Sequence, residues 1–254
     1  MTDISGEQIE KESDRVIPVA IKLVGISGTP IKGGNCDTMV QEALKSAAQV
    51  PGVQTEFVTL ADKKIALCQH CQWCIQNRAP CKIDDDAHAV FDKMIKSDGL
   101  ILGAPVWNVG AAPLFAILIS RWRYHQFFTY NFRNKVSGLL TVGFLGMGME
   151  RALEDLEVVG RGAGFVVARG WAVASTAAFG QRPAYLEHGV LDDKVGMVRV
   201  RNVALKVVEV ARMIRYATDA KVTLPEDYRT TFRGVHLKDR EKKVFIDGVW
   251  RDKE

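Results

Sequence analysis

Short, nearly continuous apolar runs alternate with amphipathic segments along this chain, and that alternation constrains its fold more than any other feature. The run at 19–27 (VAIKLVGIS) ends in Gly, Ser and Pro, as expected of a buried parallel strand covered on both faces. CDTMVQEALKSAAQV follows, with Met39, Val40, Ala43, Leu44 and Ala47 on one helical face. Further strands are predicted at 53–60, 99–106, 135–144 and within 165–174. Further helices are predicted at 85–97, 113–122, 150–164 and 192–217. Two aspartates open the helix at 85–97 and Pro113 starts the next, both suited to a first turn. Five strands alternating with five helices imply an α/β fold, a doubly wound five-stranded parallel sheet of order 2-1-3-4-5.

The flanks read differently. Residues 1–17 hold few apolar groups and are expected to form a disordered N-terminal tail, leaving 18–217 as the α/β domain. RYHQFFTYNFRN (123–134) reads as an aromatic insertion before the fourth strand. The C-terminal extension, 218–254, is extra to the α/β core. Within it VFI-DG-VWR carries the Asp-Gly signature of a tight hairpin. A net charge of +4 over 254 residues, with basic residues dispersed, gives no indication of nucleic acid. No apolar run reaches membrane-helix length, and the polar, acidic start is unlike a signal peptide, so no membrane partner and a cytoplasmic location are expected. Five cysteines in that setting point to metal or redox use rather than disulfides.

Four of the five cysteines fall within 14 positions, as Cys68-x2-Cys71-x2-Cys74-x6-Cys81, in a loop over 61–83. The segment is too polar for the cysteines to be simple buried hydrophobes. Structural zinc usually pairs two cysteine knuckles across a longer spacer. A compact x2-x2 triple is instead the ferredoxin-type run that wraps thiolates around one face of a 4Fe–4S cluster, with Cys81 after Pro80 closing the opposite corner. Zinc and a redox disulfide remain the alternatives. His70, inside the motif, is expected beside the site rather than on the metal.

After the first strand, Ser27, Gly28, Thr29, Pro30, Ile31, Lys32, Gly33, Gly34, Asn35, Cys36, Asp37 and Thr38 lead into a helix. Hydroxyls, glycines and backbone amides at a helix N-terminus make a phosphate site. The loop is neither the dinucleotide GxGxxG nor the P-loop GxxxxGK[ST]. Ala104–Gly110 follows the third strand and Gly143–Glu150 the fourth. In a 2-1-3-4-5 sheet these loops meet at the topological switch point, where one can hold phosphate and two can hold a flat ring.

These motifs resemble the iron–sulfur flavoproteins within the NAD(P)H-dependent FMN reductase superfamily. The resemblance runs over 20–215 and is carried by GISGTPIKGGNCDT, CQHCQWCIQNRAPC, GAPVWN and GFLGMGME. It implies a flavodoxin-like fold, FMN at a dimer interface, dimers paired into tetramers, and a 4Fe–4S cluster near the flavin. Carried over by position, Ser27, Thr29, Lys32, Asn35 and Thr38 would surround the phosphate, with Cys36 beside them. Pro105, Val106, Trp107, Asn108, Gly146 and Gly148 would line the isoalloxazine, and Cys68, Cys71, Cys74 and Cys81 would hold the cluster. Ile31 stands where family members carry Arg, Cys36 where they carry a hydroxyl, and Trp107 where many carry Tyr; Lys32 can replace the arginine as a point charge. The implied activity is FMN-dependent electron transfer with a partner such as ferredoxin, NAD(P)H or a small organic acceptor, with no side chain acting as nucleophile or general acid. Three alternatives stand beside it: a cluster-free NAD(P)H-dependent quinone, azo or FMN reductase, a non-catalytic flavodoxin-like carrier, and a zinc-stabilised binding module without flavin.

Overall fold

The computed structural model describes residues 19–129, 131–144, 146–161, 165–173, 189–224, 243–246 and 249–252. The expected N-terminal tail at 1–17 lies outside the described residues, as do 225–242 and the Asp247-Gly248 pair. Strands β1 (Ile21–Ser27), β2 (Val53–Thr59), β3 (Gly99–Trp107), β5 (Val136–Gly143) and β6 (Val166–Val173) form a parallel sheet of order β2-β1-β3-β5-β6. A two-residue strand, β4 (Gly110–Ala111), pairs antiparallel with the end of β3. Apart from β4, this is the expected 2-1-3-4-5 order.

Strand position explains strand composition. β5 is buried at every position, so it reads as one apolar run, whereas the edge strand β2 places Gln54, Thr55 and Glu56 where water or Lys22 and Lys93 can reach them. Successive residues of each central strand face opposite layers. Leu23, Ile101 and Leu140 pack under α1 (Asn35–Ala48) and the long α7 (Lys194–Asp219). Val24, Leu102 and Leu139 pack under α3 (Ala87–Ile95), α4 (Leu114–Ser120) and α6 (Met149–Arg161). Asp193 caps α7 by accepting from the Gly196 amide at 2.8 Å.

Two connections matter for the site. Between β2 and α3, the cysteine segment contains one short helix, α2 (Trp73–Gln76). The segment predicted as one helix over 113–122 ends at Ser120, and a second short helix, α5 (Arg123–Phe127), begins the aromatic insertion. Tyr124, Phe127 and Phe128 of that insertion pack against Trp73, Cys74 and Ile75. In the C-terminal extension, β7 (Lys243–Ile246) pairs antiparallel with β8 (Val249–Asp252).

Candidate functional site

The carboxyl ends of β1, β3 and β5 lie at one edge, with Ser27 paired to Gly103 and Pro105 to Val142. β3 runs four residues past that Ser27 pairing, and a groove of about 180 Å3 opens beside its end. Thr29, Gly34, Asn35 and Cys36 line one side of the groove, Pro105, Val106 and Trp107 another, and Val142 to Phe144 the third.

The loop from β1 to α1 is held by its own polar groups. The Gly28 amide donates to the Gly103 carbonyl at 2.7 Å, and Thr29 Oγ1 accepts from the Ile31 amide at 3.1 Å. Gly33 has φ +71°, and its amide donates to Asp37 Oδ2 at 2.8 Å. The other oxygen of that buried carboxylate accepts from Thr59 Oγ1 at 3.1 Å. Gly34 caps α1 without a side-chain cap hydrogen bond, and Asn35 and Cys36 of the first turn line the groove.

The predicted phosphate residues divide. Thr29 and Asn35 line the groove, and Asn35 also accepts from the Val190 amide through Oδ1 at 2.9 Å, tying the loop to the turn before α7. Ser27 lies wholly buried at the end of β1, its hydroxyl facing the Cys36 thiol without a standard hydrogen bond. Lys32 is on the outside, paired with Asp62 at 3.0 Å, and Thr38 is half-buried within α1, its amide donating to the Gly34 carbonyl. Burial pushes the Cys36 thiol up to about 12, against a small opposing pull from Ser27. It is a neutral packing residue at physiological pH, so helix-end activation is overridden by desolvation.

Residues 107–110 form a two-residue hairpin turn with Asn108 at φ +47° and Val109 at φ +67°. Asn tolerates that region, but a β-branched valine is strained there, at a cost of about 1–3 kcal/mol. Trp107 and Val109 are about half exposed beside the groove. The next loop packs onto this turn: Gly148 has φ +77°, and a Cβ there would lie 2.6 Å from Val109 Cα. Gly146, at φ +74°, stands in open space. Asp155 of α6 holds the hairpin from below, accepting from the Ala111 amide at 3.1 Å and from Arg151 Nε at 2.8 Å.

Cys68, Cys71 and Cys81 all lie within electrostatic reach of Cys74. Burial raises the Cys74 thiol; the charge of Arg123 opposes this, and Cys81, Cys68 and Cys71 push it further up. Cys71 is exposed, Cys68 and Cys81 are partly so. The segment is tightly coiled, with His70, Gln72 and Arg78 all at positive φ. Three strained residues in nine are kept only where surroundings over-determine them. Two sulfurs already accept hydrogen bonds, Cys68 Sγ from the His70 amide at 3.4 Å and Cys81 Sγ from Arg121 Nε at 3.1 Å. Among the described residues, no group of three or more His, Cys, Asp or Glu side chains is arranged to hold a metal ion. The donor set, four soft sulfurs in one loop with N–H groups aimed at two of them, fits an iron–sulfur cluster.

Arg121 and Asp85 tie this loop down, and sequence reasoning missed both. Their ion pair at 2.7 Å is almost wholly buried. Burial alone would raise the Asp85 carboxyl; the Arg121 guanidinium and the amides of Ala66 and Ala87 outweigh it and hold it below the usual carboxylate range. Asp37 and Asp155 were missed as well. Asp37 alone had a signal, as an acidic residue in a helix first turn. The short helix α4 joins the two halves of the site. A Cβ on Gly28 would meet the Phe115 ring at 2.4 Å near its start, and Ser120 Oγ at its end accepts from the Cys68 amide at 3.2 Å. Seven residues of helix span roughly 10 Å.

Sheet order, groove and loops together define a flavodoxin-like redox protein, and the comparisons identify its class: the chain belongs to the NADPH-dependent FMN reductase family, whose description matches residues 21–179, and is an FMN-dependent oxidoreductase. Within that class it falls among the iron–sulfur flavoproteins. It is 32% identical over 201 residues to an iron–sulfur flavoprotein of Methanocaldococcus jannaschii, covering 77% of this chain and 100% of that protein. It is 29% identical over 200 residues to one of Methanosarcina thermophila, covering 78% of this chain and again 100% of the relative. Among solved structures, RosB with bound 8-demethyl-8-formylriboflavin-5'-phosphate superposes with a TM-score of 0.63 at 17% identity, covering 92% of this chain and 91% of RosB. A flavone reductase superposes at 0.59 with 21% identity, covering 78% of this chain and 65% of its own. These two likenesses establish the fold. Among the described residues no helix is long and apolar enough to cross a membrane.

Proposed function

We propose that this chain passes electrons between a 4Fe–4S cluster on Cys68, Cys71, Cys74 and Cys81, an FMN in the groove, and a partner such as ferredoxin, NAD(P)H or a small organic acceptor. The observation that carries the reading is the meeting, at one edge of the sheet, of a four-cysteine loop and the groove between the β1, β3 and β5 loops, the two joined by α4. When bound, FMN takes up electrons singly or in pairs and the cluster takes them singly.

The chain's own residues bind and orient. Thr29, Asn35 and the N-terminus of α1 take the phosphate, with Lys32 and Thr38 flanking and Ser27 and Cys36 packing beneath. Pro105, Val106, Trp107 and Asn108 line one edge of the ring, and Gly146 and Gly148 let the neighbouring loop approach it. A single phosphate site without a dinucleotide fingerprint favours FMN over FAD. Ile31, Trp107, Val109 and Met147 leave an exposed apolar rim around the groove. A second copy of the chain covers that rim, giving a homodimer and, on the family's pattern, a dimer of dimers.

The test is anaerobic stopped-flow reduction of Cys74→Ser. The variant keeps FMN and its reduction by NAD(P)H, but loses reduction by ferredoxin. Reduction of its FMN by ferredoxin at the parent rate would select the cluster-free reductase instead.

A further inference from the structure

Arg121, at the C-terminal cap of α4, places a buried guanidinium inside the cysteine loop, and its bonds are directional. Nη1 donates to the Ala66 carbonyl at 2.8 Å and to Asp85 Oδ2 at 2.7 Å. Nη2 donates to the Ile83 carbonyl at 2.9 Å and, more weakly, to Asp85 Oδ1 at 3.4 Å. Nε alone turns the other way and donates to Cys81 Sγ at 3.1 Å. The carboxylate lies behind the guanidinium and the sulfur in front of it, so the pair is a fixed dipole with its positive end on the thiolate. A residue serving only to close the loop would need the two carbonyls and Asp85; the contact with sulfur is additional.

We infer that Arg121 sets the reduction potential of the cluster, acting through Cys81 as a positioning residue; the inference rests on the cluster reading above. One electron added to the cluster adds one negative charge shared with the coordinating sulfurs. A hydrogen bond and a positive charge at one of those sulfurs stabilise the reduced form more than the oxidised one, and raise the potential. Asp85, on the far side of the dipole, offsets part of that effect.

The two residues therefore pull in opposite directions, which a merely structural role would not produce. The experiment is a potentiometric titration of the cluster, followed by electron paramagnetic resonance and visible absorbance, in the parent chain and three variants, with iron and sulfide counted in each. Arg121→Gln shifts the potential to more negative values. Arg121→Lys, which keeps the charge but not the Nε–H, shifts it the same way by less. Asp85→Asn shifts it to more positive values. Unchanged potentials in cluster-bearing variants, or shifts of one sign for Arg121 and Asp85 alike, would overturn the assignment. So would loss of iron from all three variants with the fold retained by circular dichroism, which would make Arg121 a clamp and nothing more. Absence of iron and sulfide from the parent chain would instead remove the cluster reading itself.

Discussion

Lys135 stands just before β5 with its ammonium among the backbone carbonyls of Ile95 and Ser97, to which it donates. Burial pushes its pKa down to about 8, Asp98 opposes the shift and Arg215 adds to it. The folded value lies below the unfolded one, near 10.4, so between these limits the unfolded chain binds more protons. Stability contributed by this group therefore rises with pH across the window from about 8 to 10.4, by an amount on the order of 3 kcal/mol in full. Urea unfolding at pH 7, 8, 9 and 10 shows that gain in the parent chain and loses it in Lys135→Met; a parent profile that is flat or falling would contradict it. Two cysteines show the same desolvation with different partners. Cys36 has only the Ser27 hydroxyl to oppose burial, whereas at Cys74 the charge of Arg123 opposes it and three neighbouring thiols reinforce it. That difference separates a packing thiol from a ligand candidate, and spacing alone does not reveal it.

At the level of elements, the strands and helices were legible because continuous apolar runs and 3.6-residue periodicity both survive in the sequence. β4 was not, since two residues leave no pattern, and its turn lacks the usual Asn-Gly pair: Val109 occupies a left-handed position that sequence rules assign to Gly or Asn. The 113–122 segment read as one helix because its apolar residues continue to Trp122. The chain turns at Arg121 because that guanidinium is drawn into the cysteine loop, a contact 40 residues away in sequence. For the site, the cysteine spacing and the polar glycine-rich loop before α1 stand out in the sequence as motifs. The positions of Lys32, paired with Asp62, and of Asn35, anchoring Val190, do not, because local sequence does not say which partner a polar side chain meets. Gly148 joins two of these elements. Gly148→Ala forces a Cβ against the Val109 backbone at positive φ, and is expected to cost about 1–3 kcal/mol and weaken FMN retention. Urea unfolding with fluorimetric FMN release measures both, and wild-type values in the variant would refute the packing of the two loops.

On the scale of the whole molecule, the groove and the cysteine loop share one edge of the sheet, and helices cover its two faces. α1 and α7 cover one face, α3, α4 and α6 the other, and the aromatic insertion adds Tyr124, Phe127 and Phe128 over Cys74. Cys71 remains open to solvent on that edge, as do the apolar residues around the groove. The measurement that tests the proposed function most directly is the cofactor content of anaerobically purified protein, by iron, acid-labile sulfide, zinc and flavin analysis with a visible spectrum before and after reduction. The account predicts about four iron, about four sulfide and one FMN per chain, with reducible charge-transfer absorbance. Stoichiometric zinc without sulfide would contradict it, as would FAD released on denaturation.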